Sequence, residues 1–543
     1  MKKIMLSILA LTTVGAVFAQ DSAGSVDPVS FSFSSVSTSG SNRAVVDMNG
    51  DFLDDIVSIS STNVNILEQQ PDGTFVTRNI STSSANYTPS WSLAAADYNR
   101  DGYTDLLYGG GSGVTFMRSD GTGSGFVEVS GPEFVFSQRS NFVDINNDGN
   151  MDAFVCHDVA PNVYYINDGT GALTFNQGGL GDYPSGGNYG SVWIDYDNDG
   201  LLDMFIAKCG GEVARRTNQM HRNNGDGTFT ENGVAIGLAD PMQTWSSAWG
   251  DFDNDGDMDV FVGASSGAHK LMRNNGPGSG YTFTDVTAAS GVLSVTATGI
   301  ENATHDFNND GFLDIASNGN ILYGNGDLTF TTISFGAISG SNGAFGDLNN
   351  DGFVDAFNSG FIRYNDGNAN HWLTINTVGD PSNVNGIGAR IELTTDAGTQ
   401  IRDVRNGEGF RFLSTLNTHF GLGTATNINT LVVKWPSGTV DTFEDVAVDQ
   451  VLTIYEGQPL SVEEQTNEVA LTVFPNPATE LLQLDYRTPL NDAQYNIYNL
   501  NGALVQSGTV GNQTINVAAL ATGAYVLKIE TNGAVINKQF LKK

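Results

Sequence analysis

A nine-residue stretch recurs seven times in this chain, and that repetition limits the chain to a repeat architecture. Its fullest copy, residues 251–259, reads Asp-Phe-Asp-Asn-Asp-Gly-Asp-Met-Asp, and the copies begin at Asp47, Asp97, Asp144, Asp195, Asp251, Asp306 and Asp347. The first and last start 300 residues apart over six intervals, a mean step of 50. Each copy sits between two short apolar segments, such as 247–250 (Ser-Ala-Trp-Gly) and 260–263 (Val-Phe-Val-Gly). Two more segments follow, the last marked by a Thr-Phe or similar pair at 74–75, 125–126, 174–175, 228–229, 282–283 and 329–330. Four short strands per repeat predict a blade, so the expectation is an all-β chain with a seven-bladed β-propeller over 29–366. The seventh repeat lacks a fourth segment, and residues 29–36 carry the same Phe-x-Phe alternation, so they are expected to complete blade 7 and close the ring.

Within each copy, side-chain oxygens fall at positions 1, 3, 5 and 9. These are Asp47, Asn49, Asp51 and Asp55 in the first copy; Asp97, Asn99, Asp101 and Asp105; and Asp144, Asn146, Asp148 and Asp152. The next are Asp195, Asp197, Asp199 and Asp203; Asp251, Asp253, Asp255 and Asp259; Asp306, Asn308, Asp310 and Asp314; and Asp347, Asn349, Asp351 and Asp355. An all-oxygen donor set wrapped by one short loop suits a hard cation, so calcium is expected, up to seven ions. Gly at position 6 in six copies allows the sharp reversal, and Asn at position 4 in five tolerates left-handed dihedrals. The first half resembles an EF-hand loop, but position 12 is never acidic (Ser58, Tyr108, Val155, Ile206, Val262, Ser317, Asn358), which excludes that motif. Copies 4 and 5, with Asp197 and Asp253 at position 3, are expected to bind tightest. Copy 1, with Phe52 at position 6, is expected to bind weakest.

The formal net charge is −36, and the seven copies hold 25 of the 60 acidic residues, so much of the acidity belongs to the loops. Such a charge disfavours nucleic acid and anionic membranes as partners. Lys2 and Lys3, an apolar run over 4–18 and Ala19 before Gln20 read as a signal peptide over 1–19. No later run has the length of a transmembrane helix. Two cysteines, Cys156 and Cys209, leave one disulfide as an even alternative to two free thiols.

The repeats resemble the FG-GAP/VCBS family of calcium-binding propeller repeats. Beyond them, 385–390 (Asn-Gly-Ile-Gly-Ala-Arg), 419–423 (His-Phe-Gly-Leu-Gly) and 435–438 (Trp-Pro-Ser-Gly) resemble the ASPIC/UnbV module, as in the cartilage acidic protein family, over 370–457. That resemblance implies a small β domain and brings no catalytic residue. A polar linker, 458–468, leads to 473–477 (Val-Phe-Pro-Asn-Pro), 495–502 (Tyr-Asn-Ile-Tyr-Asn-Leu-Asn-Gly) and 523–529 (Gly-Ala-Tyr-Val-Leu-Lys-Ile). These resemble the C-terminal sorting domain of type IX secretion, over 469–543. The resemblance implies an Ig-like β-sandwich, the type IX secretion machinery as partner, and delivery to the outer-membrane surface or medium.

No nucleophile elbow, zinc-protease helix or P-loop is present, and the six histidines are scattered. The residues therefore point to a calcium-stabilised binding or adhesion protein. The alternative is a polysaccharide lyase built on a calcium propeller, which would need a base in a channel lined by substrate-bridging calcium. The ligand face is expected opposite the metal loops, where Lys208, Arg215 and Arg216 form a cationic spot suited to an anionic ligand such as a uronate or sulfated glycan; the alternative is that these arginines pair with local acids such as Glu212 or Asp240.

Overall fold

The structure is a computed structural model that describes residues 28–295, 300–317, 319–333, 343–460, 472–485, 493–499, 503–511, 513–531 and 534–543. The expected leader, most of the expected linker and residues 469–471 fall outside them. Among the described residues each repeat forms one four-stranded antiparallel sheet, giving seven such sheets in 29–366. In the fifth sheet, Gln243–Gly250 leads through its aspartate loop to Asp259–Ser266, then Lys270–Asn274 and Phe283–Asp285. First strands of successive sheets lie side by side and form the inner wall of the ring. Apolar residues of the first and second strands are wedged between neighbouring sheets, as with Val260, Val262, Trp249 and Phe205 between the fourth and fifth. The seventh sheet takes its outer strand from the other end of the repeat region: Phe31–Ser35 pairs antiparallel with Phe361–Asn365, Phe31 opposite Asn365. The Phe-x-Phe alternation thus does what its pattern predicts.

The unit after the ring folds as two sheets. Thr418–Gly423, His371–Val378 and Gln450–Tyr455 form one, with a parallel pair between the last two. Gly398–Asp403, Arg390–Thr395, Ile428–Lys434 and Val440–Val446 form the other. This unit belongs to the same compact body as the ring. Residues 405–417, which link its two sheets, enter the centre of the ring from the aspartate-loop side. Near the entry, Arg405 donates to the Trp249 carbonyl and Asn406 to the Ala95 carbonyl, both close to aspartate loops. The tip reaches the opposite end of the inner strands, where Glu301 accepts the Phe410 N–H at 2.7 Å and Arg139 donates to the Phe410 and Phe412 carbonyls. The chain returns through Leu413, bonded to the Arg43 carbonyl, to Thr415, bonded to the Phe345 carbonyl. Inner strands of six sheets are hydrogen-bonded to this insertion, and the fourth meets it through Tyr189 against Phe410. The ring therefore has a filled axis.

Residues 460–543 form a separate compact unit. Its two sheets, of three and four strands, share a core that includes Val473, Leu482, Ile497, Ile515, Leu527 and Phe540.

Candidate metal centres and the opposite face

All seven aspartate loops share one backbone path. Position 4 is left-handed in each, from Gly50 and Arg100 to Asn147, Asn198, Asn254, Asn309 and Asn350. Position 6 is left-handed too, including Phe52 at φ 65°, so copy 1 keeps the path despite exchanging its glycine. That conformation costs a non-glycine residue on the order of 1 kcal/mol. The position 1 carboxylate organises the turn: Asp251 accepts the N–H groups of Asp255 at 3.0 Å and Gly256 at 2.9 Å, and Asp195 does the same with Asp199 and Gly200.

Position 9 has a second task that the loop sequence alone does not reveal. In every sheet its two oxygens accept two backbone N–H groups, one from position 2 and one from the third strand. For Asp259 these are Phe252 at 3.3 Å and Asn274 at 2.8 Å; for Asp55, Met48 at 2.9 Å and Gln69 at 2.8 Å. The aspartate thus ties the loop to strands two and three of its own sheet. Each oxygen keeps a further lone pair, so metal ligation remains open to it. The visible signal for this role is position itself, since the residue begins or immediately precedes the second strand in every repeat.

Copies 4 and 5 bring three carboxylates together. Asp195, Asp197 and Asp203 each place an oxygen within 4.8 Å of the others, as do Asp251, Asp253 and Asp259. Asp197 Oδ1 and Asp253 Oδ1 are buried with no hydrogen-bond partner. Buried unpaired carboxylate oxygens are costly unless a cation meets them, and ligand spacings of this size suit Ca–O bonds of about 2.3–2.6 Å. The residues present therefore fit a hard divalent cation. Burial is the main cause pushing Asp195 and Asp253 up to about 6, Asp251 to about 7, and Asp203 and Asp259 well above the usual carboxyl range. Copy 4 is already partly neutralised, because Arg222 bridges Asp197 at 2.5 Å and Asp199 at 2.7 Å, and Arg390 of the second unit lies 3.7 Å from Asp195. Among the described residues copy 5 has no ion pair of this kind: Arg273 bonds Asn275, and Arg273 and Arg402 act on Asp253 and Asp251 only at longer range.

In the other five copies the Asn at position 3 bonds the Asp at position 5, as in Asn99 to Asp101 at 2.9 Å and Asn349 to Asp351 at 2.8 Å. Asn99 Oδ1 is buried without a partner, which leaves copy 2 an amide oxygen to offer. Asp54, the additional acid of copy 1, accepts the Thr415 hydroxyl at 2.6 Å and the Asp347 N–H at 2.9 Å. It joins the first sheet to the seventh and to the insertion.

The cationic spot expected on the opposite face is not free in the structure. Lys208 is fully buried, its ammonium donating to Asn188 Oδ1 at 2.6 Å and the Gly186 carbonyl at 3.2 Å. Arg215 pairs with Asp158 at 2.7 Å and donates to the Cys209 and Ser185 carbonyls. The acids that sequence proximity nominated have other partners, Glu212 with Tyr183 and Asp240 with Lys270. Arg216 is half-buried beside them. Arg215 thus holds the long loop against the third sheet through Asp158, while Lys208 ties its strand to Asn188 on the first strand of its own sheet. Cys156 and Cys209 are both free and buried.

Three family models match the chain. The FG-GAP-like repeat covers 47–108, 97–155, 144–206, 195–262 and 251–317. ASPIC and UnbV covers 379–461, and the secretion system C-terminal sorting domain covers 472–543. No curated protein matches. Similar solved structures include the Dos1 propeller, 9% identical with a TM-score of 0.36, covering 77% of this chain and 94% of that one. The biofilm matrix protein Bap1 of V. cholerae is 12% identical with a TM-score of 0.29, covering 95% and 70%. The rhamnogalacturonan lyase YesW is 11% identical with a TM-score of 0.28, covering 61% and 90%. At these scores none bears on chemistry. Among the described residues no helix is long and apolar enough to cross a membrane. The type IX sorting domain marks the protein for export to the cell surface or medium. The chain is thus an FG-GAP-repeat propeller carrying an ASPIC and UnbV domain and ending in a type IX secretion sorting domain.

Proposed function

We propose that this exported propeller is stabilised by calcium in its aspartate loops and serves as a binding or adhesion protein. The observation that carries the reading is the asymmetry of the ring. One face holds the aspartate loops and the second β unit, which contacts them through Arg390, Asn385 and Asn417. The other face carries the long connections between second and third strands and is left for a partner. A filled axis also argues against the lyase alternative, because residues 405–417 occupy the channel in which substrate would meet calcium. The test is an array of glycans and matrix proteins probed with the full chain in calcium and in chelator. Calcium-dependent capture is expected. Release of unsaturated uronates from pectic polysaccharide, or no capture by a protein whose melting still responds to calcium, would overturn the binding role.

A further inference from the structure

On the face away from the metal loops, the tip of the insertion meets an aromatic cluster drawn from three sheets. Trp91, Tyr189 and Trp245 lie at the starts of the second, fourth and fifth inner strands and surround Phe410. Ring centroids are 5.1 Å apart for Trp245 and Phe410, 5.5 Å for Trp91 and Phe410, and 4.9 Å for Tyr189 and Trp245. Phe410 is buried, but the other three rings are only half-buried, so the cluster ends as a floor open to solvent at the mouth of the ring. The Arg411 guanidinium lies 5.1 Å over Trp91.

Polar groups flank the floor. The Tyr189 hydroxyl and Gln138 Nε2 both approach Asp158 Oδ2, at 3.4 and 3.3 Å, while Gln138 Oε1 is buried without a partner, as is Arg411 Nε. Beyond them the same face of the third and fourth sheets exposes Phe134 at 58%, Val159 at 47% and Val213 at 56%. An open patch of Trp, Tyr and Arg continuous with exposed apolar side chains is the composition of a binding site. One cation selects the ligand. Arg139 is fully buried and Arg215 is paired with Asp158, and Glu212, Glu301 and Glu408 lie among these arginines, so the positive group presented beside the rings is Arg411, over Trp91.

From these observations we propose that the mouth formed by Trp91, Tyr189, Trp245 and Arg411 binds a carboxylate-bearing saccharide chain. The C–H face of a pyranose stacks on the rings. Its hydroxyls bond Asp158, which Gln138 and Tyr189 orient from behind, and its carboxylate meets Arg411. Phe410 and Arg411 come from the ASPIC and UnbV domain, so that domain completes a site on the side of the propeller opposite its own body. Its insertion is then part of the recognition surface as well as a filling for the axis.

The proposal rests on the binding role inferred above. It is tested by tryptophan fluorescence of the calcium-loaded full chain, titrated with a short galacturonate oligomer and with a neutral galactose oligomer of equal length. A saturable change with galacturonate is expected, at least tenfold weaker with the neutral oligomer. Trp91→Ala and Arg411→Gln should each weaken galacturonate binding at least tenfold, while Phe33→Ser, on the outer strand of the seventh sheet, leaves it unchanged. Should Trp91→Ala fold poorly, Arg411→Gln with an unaltered melting point gives the decisive reading. Equal binding of both oligomers, or full binding by Arg411→Gln, overturns the proposal. So does the absence of any change in a parent protein whose melting responds normally to calcium, and in that case capture of a protein on the array would leave the broader binding role standing.

Discussion

Replacing Asp253 with Asn should change stability in opposite directions with and without calcium. Asp253 Oδ1 is buried and unpaired beside Asp251 and Asp259, and burial with charge repulsion from Asp255 raises its carboxyl to about 6. A shift of about two units corresponds to roughly 3 kcal/mol of unfavourable charging at pH 8. Asp253 is half-exposed, and solvent screening reduces that to about 1 kcal/mol. In chelator, the neutral Asp253→Asn variant should therefore be more stable than the parent by about 1 kcal/mol. In calcium at twentyfold its Kd, the parent gains about 1.8 kcal/mol at this site. The variant forgoes that gain and ends about 1 kcal/mol less stable. The compact unit spans 459 residues, for which 1 kcal/mol corresponds to about 1 °C in melting temperature. Differential scanning calorimetry at pH 8 in both conditions should thus give melting curves whose order reverses. A variant that is less stable than the parent in chelator as well would refute the reasoning, because position 3 would then be a structural residue and not a metal ligand held at a cost.

Position 9 predicts the contrasting behaviour. Asp259→Asn sets an amide N–H against a backbone N–H and should cost about 3 kcal/mol with or without calcium, measured by denaturant unfolding. The pH response follows from burial: Asp55 and Asp105 are pushed up to about 8 and Asp152 and Asp251 to about 7, all above their unfolded values. The folded, chelated protein then binds more protons than the unfolded chain between pH 4 and 8, so its stability is greatest at the acid end and falls as pH rises, by up to about 1.4 kcal/mol per pH unit for each such group. Melting in chelator at pH 5, 6, 7 and 8 checks the sign, and calcium should flatten the decline. Deleting 469–543 should leave the remainder in the periplasm, and finding it at the surface or in the medium by fractionation would count against the sorting role.

The ring was legible because its signals are local and repeated: a loop every 50 residues on average, and a strand alternation that even revealed the outer strand of the seventh sheet. The three-carboxylate clusters of copies 4 and 5 were legible for the same reason, since Asp at position 3 is a change of one residue type in a fixed frame. The insertion was not. Residues 405–417 have no strand alternation, and their meaning lies in contacts with residues far away in sequence, such as Asn406 with Ala95 and Leu413 with Arg43. Lys208 and Arg215 misled for a related reason. A basic residue on a long loop reads as exposed, and only the folded loop shows Asn188 and Asp158 waiting for it.

Thermal unfolding of the parent protein in calcium and in excess chelator tests the central claim most directly. If the two three-carboxylate loops each bind calcium at twentyfold its Kd, together they contribute about 4 kcal/mol, and chelation should lower the melting temperature by about 4 °C, with recovery when calcium is restored. A melting temperature that is the same in calcium and in chelator would contradict the account.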